Sequence, residues 1–238
     1  MDQTLCERVP AQSDDAGEGV IVPSADQRPN VLLFDWDNTL VDGWTGITAA
    51  LNAAFGAFDM PAWTVEDTKN RVRVSLTESF PVMFGDAWER ARDIFYERFR
   101  GDHLEHVTPM RGAAEALLAG AVWPRGVVSN KAGKYLRAEV AHLGWAEHFG
   151  AVIGAGDASA DKPDPAPILM ALEQLGFAAD RTIWYLGDTA LDMRAARAAG
   201  VTAVLVGDAS HDGGVELAAP DLHVHSAHEL AAWLKSLA

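Results

Sequence analysis

A single cysteine, Cys6, among 238 residues excludes an intramolecular disulfide, and its polar N-terminal surroundings offer it no catalytic partner. A reducing compartment, the cytoplasm, is the expected setting. Basic residues are also scarce: 19 Lys and Arg against 34 Asp and Glu give a formal charge of −15, a field that repels polyanions. Nucleic acid and anionic membranes are therefore not expected partners. A small anion is not excluded, because a metal ion and one or two local cations can meet its charge. No apolar run approaches the about 20 residues of a membrane span. The opening MDQTLCERVPAQSDDAGEGV has neither a basic start followed by an apolar stretch nor a basic amphipathic pattern, so no export signal is expected. Internal repeats at solenoid periods and low-complexity blocks are absent as well.

What is present is the balance of a folded domain, 49% hydrophobic and 22% charged residues. Residues 1–29 are rich in Asp, Glu, Gln, Ser, Pro and Gly and read as a flexible tail. From Val31 the run VLLFDWD is apolar and then abruptly acidic, as for a strand buried on both faces whose C-terminal end opens into a site. Similar runs follow at 126–130 (GVVSN), 151–157 (AVIGAGD), 182–188 (TIWYLGD) and 202–208 (TAVLVGD). Helical patterns lie between them: KYLRAEVAHLG places Leu136, Val140 and Leu143 on one face, and PAPILMALEQLG does the same with Ile168, Leu172 and Leu175 before Gly176. Strand and helix alternate except between Gly43 and Val107, where only helices are read. The expected fold is α/β, a Rossmann-like parallel sheet core (30–42 and 108–238) with helices on both faces and an inserted all-helical cap (43–107).

Ligands of such sheets bind beyond the carboxyl ends of the strands, and the strand ends here are acidic or polar. Asp35 and Asp37 stand two apart in DWDNTL, so one carboxylate can attack phosphorus while the other protonates the leaving oxygen and later takes a proton from water. Asp188 and Asp192, in GDTALD, are oxygen ligands of the kind hard Mg²⁺ prefers. Ser129 offers a hydroxyl and adjacent backbone donors to phosphoryl oxygens. Lys162, in DKPDP, adds a point charge. Each has a plainer alternative: Asp192 as a helix cap, Lys162 in a surface pair with Asp161 or Asp164. His223 and His225 in DLHVHS read as an edge strand rather than a metal site. The tryptophans read mainly as packing, with Trp36 and Trp63 as candidates to line the site. Lys69, Arg71 and Arg73 cannot all face one ligand from a helix.

DWDNTL, SNK, DKPDP and GDTALD occur in the order and at the separations of the haloacid dehalogenase superfamily, and over roughly residues 30 to 236 the chain resembles its phosphoglycolate-phosphatase-like branch with a helical cap. The resemblance implies Asp35 as nucleophile and Asp37 as acid/base. It implies Thr39, Ser129, Asn130 and Lys162 around the phosphate, and Mg²⁺ held by Asp35, Asp37 (through its backbone carbonyl), Asp188 and Asp192. Asn38 stands where glycine is usual, and Gly43 where an Asp-Ser pair often ends; both tune the loop rather than the chemistry. The stretch TKNRVRVSLTESF lacks a glycine many relatives carry, a difference that bears on the substrate. An acid at Asp37 separates the chain from haloalkanoate dehalogenases, which need none, and from phosphonate-cleaving members, which typically use a cap lysine instead.

The expected function is Mg²⁺-dependent hydrolysis of a small phosphorylated metabolite, a phosphate monoester, through an aspartyl-phosphate. A β-phosphoglucomutase-like sugar phosphomutase and a non-catalytic binding protein are the alternatives. The sequence leaves the oligomeric state open.

Overall fold

The computed structural model describes residues 28–72 and 76–238; Cys6, nearly all of the 1–29 segment and Arg73 lie outside them. Val31–Phe34 (β1) is apolar and buried throughout, as a strand covered on both faces must be. Arg125–Ala132 (β2), Ala151–Ala155 (β3), Ile183–Gly187 (β4), Thr202–Val206 (β5) and Leu222–Val224 (β6) complete a sheet ordered β3-β2-β1-β4-β5-β6, every pairing parallel. The order reverses direction between β1 and β4, which opens a crevice at their carboxyl ends. The DLHVHS segment supplies β6 at the sheet edge, where His223 Nε2 lies 2.7 Å from the Gly207 carbonyl oxygen.

The helices are Trp44–Ala57 (α1), Val65–Arg71 (α2), Leu76–Phe84 (α3), Trp88–His106 (α4), Ala113–Ala119 (α5), Gly133–His142 (α6), Ala166–Leu175 (α7), Ala190–Ala199 (α8), Gly214–Ala218 (α9) and Ala227–Leu237 (α10). Strand periodicity divides the core. Leu32 and Phe34 pack on one face with Leu117, Leu136 and Leu234 from α5, α6 and α10, while Val31 and Leu33 pack on the other with Ile168 and Leu172 of α7 and Met193 of α8. Gly176 ends α7 at φ +80°, a left-handed conformation that glycine adopts without a Cβ clash.

Between β1 and α5 the described residues hold helices and no strand. Their apolar residues form a third cluster around Leu51, Phe55, Phe80 and Phe95, separate from the two that flank the sheet. The chain leaves and re-enters the sheet side by side: Asp42 N donates to Thr108 O, Met110 N to Leu40 O, and Val41 bridges Pro109. Among the described residues no helix is long and apolar enough to cross a membrane.

Candidate active site

Asp35 directly follows β1 and is still tied to β4, its N–H donating to Leu186 O at 2.8 Å. The chain then folds back, with Leu40 N and Val41 N both donating to Trp36 O. That turn puts Asn38 at φ +62°, a left-handed position that asparagine tolerates better than most residues. Asn38 Oδ1 accepts from Gly43 N at 3.2 Å, so the residue standing in the usual glycine position closes its own loop. The loop turns Asp35 and Asp37 toward one cavity.

Lys162 is 5% exposed and binds three groups: Asp35 Oδ1 at 2.6 Å, Asp192 Oδ1 at 2.7 Å and the Tyr185 hydroxyl at 2.9 Å. It is not a surface lysine paired with Asp161 or Asp164. Its backbone is fixed by Asn130, whose amide donates to Lys162 O and accepts from Lys162 N, both at 2.9 Å. The Tyr185 hydroxyl donates to Val128 O at 2.8 Å, which leaves the phenolic oxygen free to accept from the lysine. Asp192 takes the helix-cap role and also meets Lys162. Oδ2 accepts from the backbone and hydroxyl of Thr189 in a capping box at the start of α8, while Oδ1 faces the lysine.

Asp188 lies beside this group. Its Oδ1 accepts from the Thr39 hydroxyl at 3.2 Å and its Oδ2 sits 3.2 Å from His211 Nε2. Burial pushes the Asp35 carboxyl well above the usual carboxylate range; Lys162 opposes this, and Asp192 and Asp188 add to it. Asp188 is raised too, by burial first, with His211 opposing. Burial alone would lower Lys162, but Asp192 and Asp35 carry it well above the ordinary lysine value.

A second cation serves Asp37. Lys131 Nζ donates to Asp37 Oδ1 at 2.7 Å and to Glu139 Oε2 at 2.6 Å, and Trp36 Nε1 donates to the same Glu139 oxygen at 2.7 Å. The β2–β3 register shifts between Val128 and Ala132, the interval that holds Ser129, Asn130 and Lys131. Each carboxylate of the pair thus has its own lysine.

Asp35, Asp37, Ser129, Asn130, Lys162, Asp188 and Asp192 line a single cavity of about 920 Å³. Thr39 sits behind it, holding Asp188. Trp36 and Trp63 do not line it: Trp36 is buried edge-on against Trp145 and Trp63 packs on Phe55. Lys131, Glu139, Tyr185 and His211 are site residues that the motif reading did not single out. Glu139 had a signal, a carboxylate on the apolar face of α6 between Leu136 and Val140. Lys131 lay inside SNK itself, and His211 had none.

One oxygen each of Asp35, Asp188 and Asp192 can be chosen so that all lie within 4.8 Å of one another, all three residues being buried. Asp35 and Asp192 share Lys162, and Asp188 Oδ2 is buried with no hydrogen bond of good geometry. A hard divalent cation fits such an all-oxygen, charge-rich donor set.

Residues 32–206 match the haloacid dehalogenase-like hydrolase family. A phosphoglycolate phosphatase of Xanthomonas campestris is 30% identical over 184 residues, 74% of this chain and 82% of its own. One from Chromobacterium violaceum is 30% identical over 216 residues, 86% of this chain and 96% of its own. A haloacid dehalogenase-like family protein of Streptococcus pneumoniae shares the fold with a TM-score of 0.74 at 20% identity, over 86% of this chain and 98% of its own. A superfamily hydrolase of Geobacter sulfurreducens does so with a TM-score of 0.69 at 20% identity, over 87% and 96%. The fold, the order of the four motifs and the matched span agree, and the chain belongs to the haloacid dehalogenase-like hydrolase family.

Proposed function

We propose that this hydrolase cleaves a small phosphate monoester with Asp35 as nucleophile, Asp37 as acid/base and Mg²⁺ as cofactor. The observation that carries the reading is the division of the two carboxylates. Asp35 is buried against Lys162 within the acidic cluster, while Asp37 is held separately by Lys131. Groups so differently surrounded can take different roles in one reaction.

An Asp35 oxygen attacks phosphorus in line with the ester oxygen, and the P–O bond to the alcohol breaks as Asp37 gives that oxygen a proton. Water then loses a proton to Asp37 and attacks the phosphorus of the aspartyl-phosphate, releasing inorganic phosphate and restoring Asp35. Lys162 stays against Asp35 throughout and offsets the charge brought together there. Ser129 and the adjacent backbone N–H groups receive the phosphoryl oxygens. Asn130 acts mainly through the backbone of Lys162. Lys131 and Glu139 orient Asp37 toward the leaving oxygen. Asp35, the Asp37 carbonyl and Asp188 would hold Mg²⁺, with Asp192 in support. When bound, the ion supplies charge neutralisation between the carboxylates and the incoming phosphate.

The helices α1 to α4, within 43–107, act as the cap over the 30–42 and 108–238 core and exclude bulk water on closing. The substrate is a small phosphorylated metabolite of the cytoplasm; phosphoglycolate, named for the relatives, is one ester to assay. The test is phosphate release from a panel of esters with and without Mg²⁺, using Asp35→Asn as the blank. Metal-dependent release lost in the variant supports the reading. An isomerised sugar phosphate without net phosphate release would make the protein a mutase instead.

A further inference from the structure

The cavity above Asp35 and Asp37 has two unlike sides. Its floor is the charged cluster. The rest of the lining is mainly an apolar wall of Trp44 and Ile47 on α1, Val72 just past α2, Phe95 and Phe99 on α4, and Leu191 on α8, interrupted by the cations Arg100 on α4 and Lys134 on α6. Phe95 and Phe99 are four residues apart on one helix face and stack with ring centres 5.8 Å apart. The wall begins at the acid: Lys131 Nζ, 2.7 Å from Asp37 Oδ1, lies 5.9 Å from the centre of the Phe99 ring. The oxygen that Asp37 protonates belongs to the leaving alcohol, so the carbon body of that alcohol extends from Asp37 onto the wall.

A volume of about 920 Å³ lies near the top of the range of small-molecule sites, about 300 to 1,000 Å³. A two-carbon anionic alcohol leaves most of it unfilled. Closing the wall directly on the floor would press hydrocarbon against carboxylates and lysines, which is unfavourable. An apolar ligand between them removes both its own surface and the wall from water while leaving the charged floor to the phosphoryl group.

We propose that the alcohol released here is hydrophobic: the substrate is a phosphomonoester whose leaving group carries an apolar chain or ring, rather than a short anionic acid such as glycolate. This rests on the phosphatase reading above and names its substrate class.

The test is kcat/KM for ethyl, butyl and hexyl phosphate and for phosphoglycolate, with Mg²⁺ present and Asp35→Asn as the blank. The n-alkyl alcohols leave with similar ease, so the series reports contact rather than reactivity. The expected result is a rise of about fourfold for each methylene buried, hexyl phosphate exceeding phosphoglycolate, and a flatter series in Ile47→Asn and in Phe99→Ser. A flat or falling series in the parent enzyme, or a preference for phosphoglycolate over hexyl phosphate, overturns the proposal. Absence of release above the blank from every ester contradicts the phosphatase reading instead, and calorimetry then decides the substrate class. Hexylphosphonate binding more tightly than ethylphosphonate supports the apolar site; equal binding overturns it.

Discussion

Asp37 and Lys131 are 94 residues apart in the chain and 2.7 Å apart in the fold, and Lys131 is held from behind by Glu139 and, through it, by Trp36. A carboxylate that must point first at an ester oxygen and then at a water loses rate when it swings. Small misplacements of a catalytic group cost up to about 100-fold. We therefore expect Lys131→Met to lower kcat by about tenfold to 100-fold with little change in KM, measured by steady-state kinetics. The same substitution should add little to Asp37→Asn, because both remove one function. Independent, additive losses would contradict the positioning role. At this scale the sequence was partly legible. Asp35, Asp37, Ser129, Lys162, Asp188 and Asp192 were nameable from strand-end motifs and meet in one cavity. Lys131 was not, because its meaning depends on a partner that only the β1–β2 pairing brings near. His211 likewise reaches Asp188 from a loop after β5 that carries no readable pattern.

The elements that carry these residues are specified by burial on both faces. β1, β4 and β5 are wholly buried, and their continuous apolar runs ending in aspartate or glycine-aspartate marked them as interior strands with functional ends. Strand limits were less legible: β2 extends to Ala132 and β3 stops at Ala155, because a shift in register is set by the neighbouring strand rather than by local propensity. One junction is unusually tight. A Cβ on Gly187 would come within 2.5 Å of the Asp192 side chain. Gly187→Ala is therefore expected to displace Asp192, loosen its hold on Lys162 and lower phosphate release by at least about tenfold. Circular dichroism on the same sample should retain the parent's helix and strand signal. Unchanged turnover would show that the Asp192–Lys162 contact is dispensable.

Across the whole molecule, an acidic protein of net charge −15 gathers three buried carboxylates, two of them bonded to one lysine. Without a cation this arrangement is a liability whose sign can be worked out. The folded Asp35 and Asp188 carboxyls are raised, so the native state binds more protons than the unfolded chain above the ordinary carboxylate value. Stability of the metal-free protein should fall as pH rises from that value through the raised ones. Mg²⁺ competes with those protons, so added Mg²⁺ should raise Tm more at the upper end of this window than at the lower end. Thermal melts in EDTA and in Mg²⁺ across pH check this; an identical Mg²⁺ increment at every pH would contradict it.

Phosphorylation of Asp35 is the central step of the proposed reaction. The measurement is rapid acid quench during turnover, reduction of any acyl phosphate with borohydride, and mass spectrometry of the peptide that contains residue 35. Conversion of Asp35 to homoserine, dependent on substrate and on Mg²⁺, is the predicted result. Turnover with Asp35 unmodified at every time point, or the label on another residue, would contradict it.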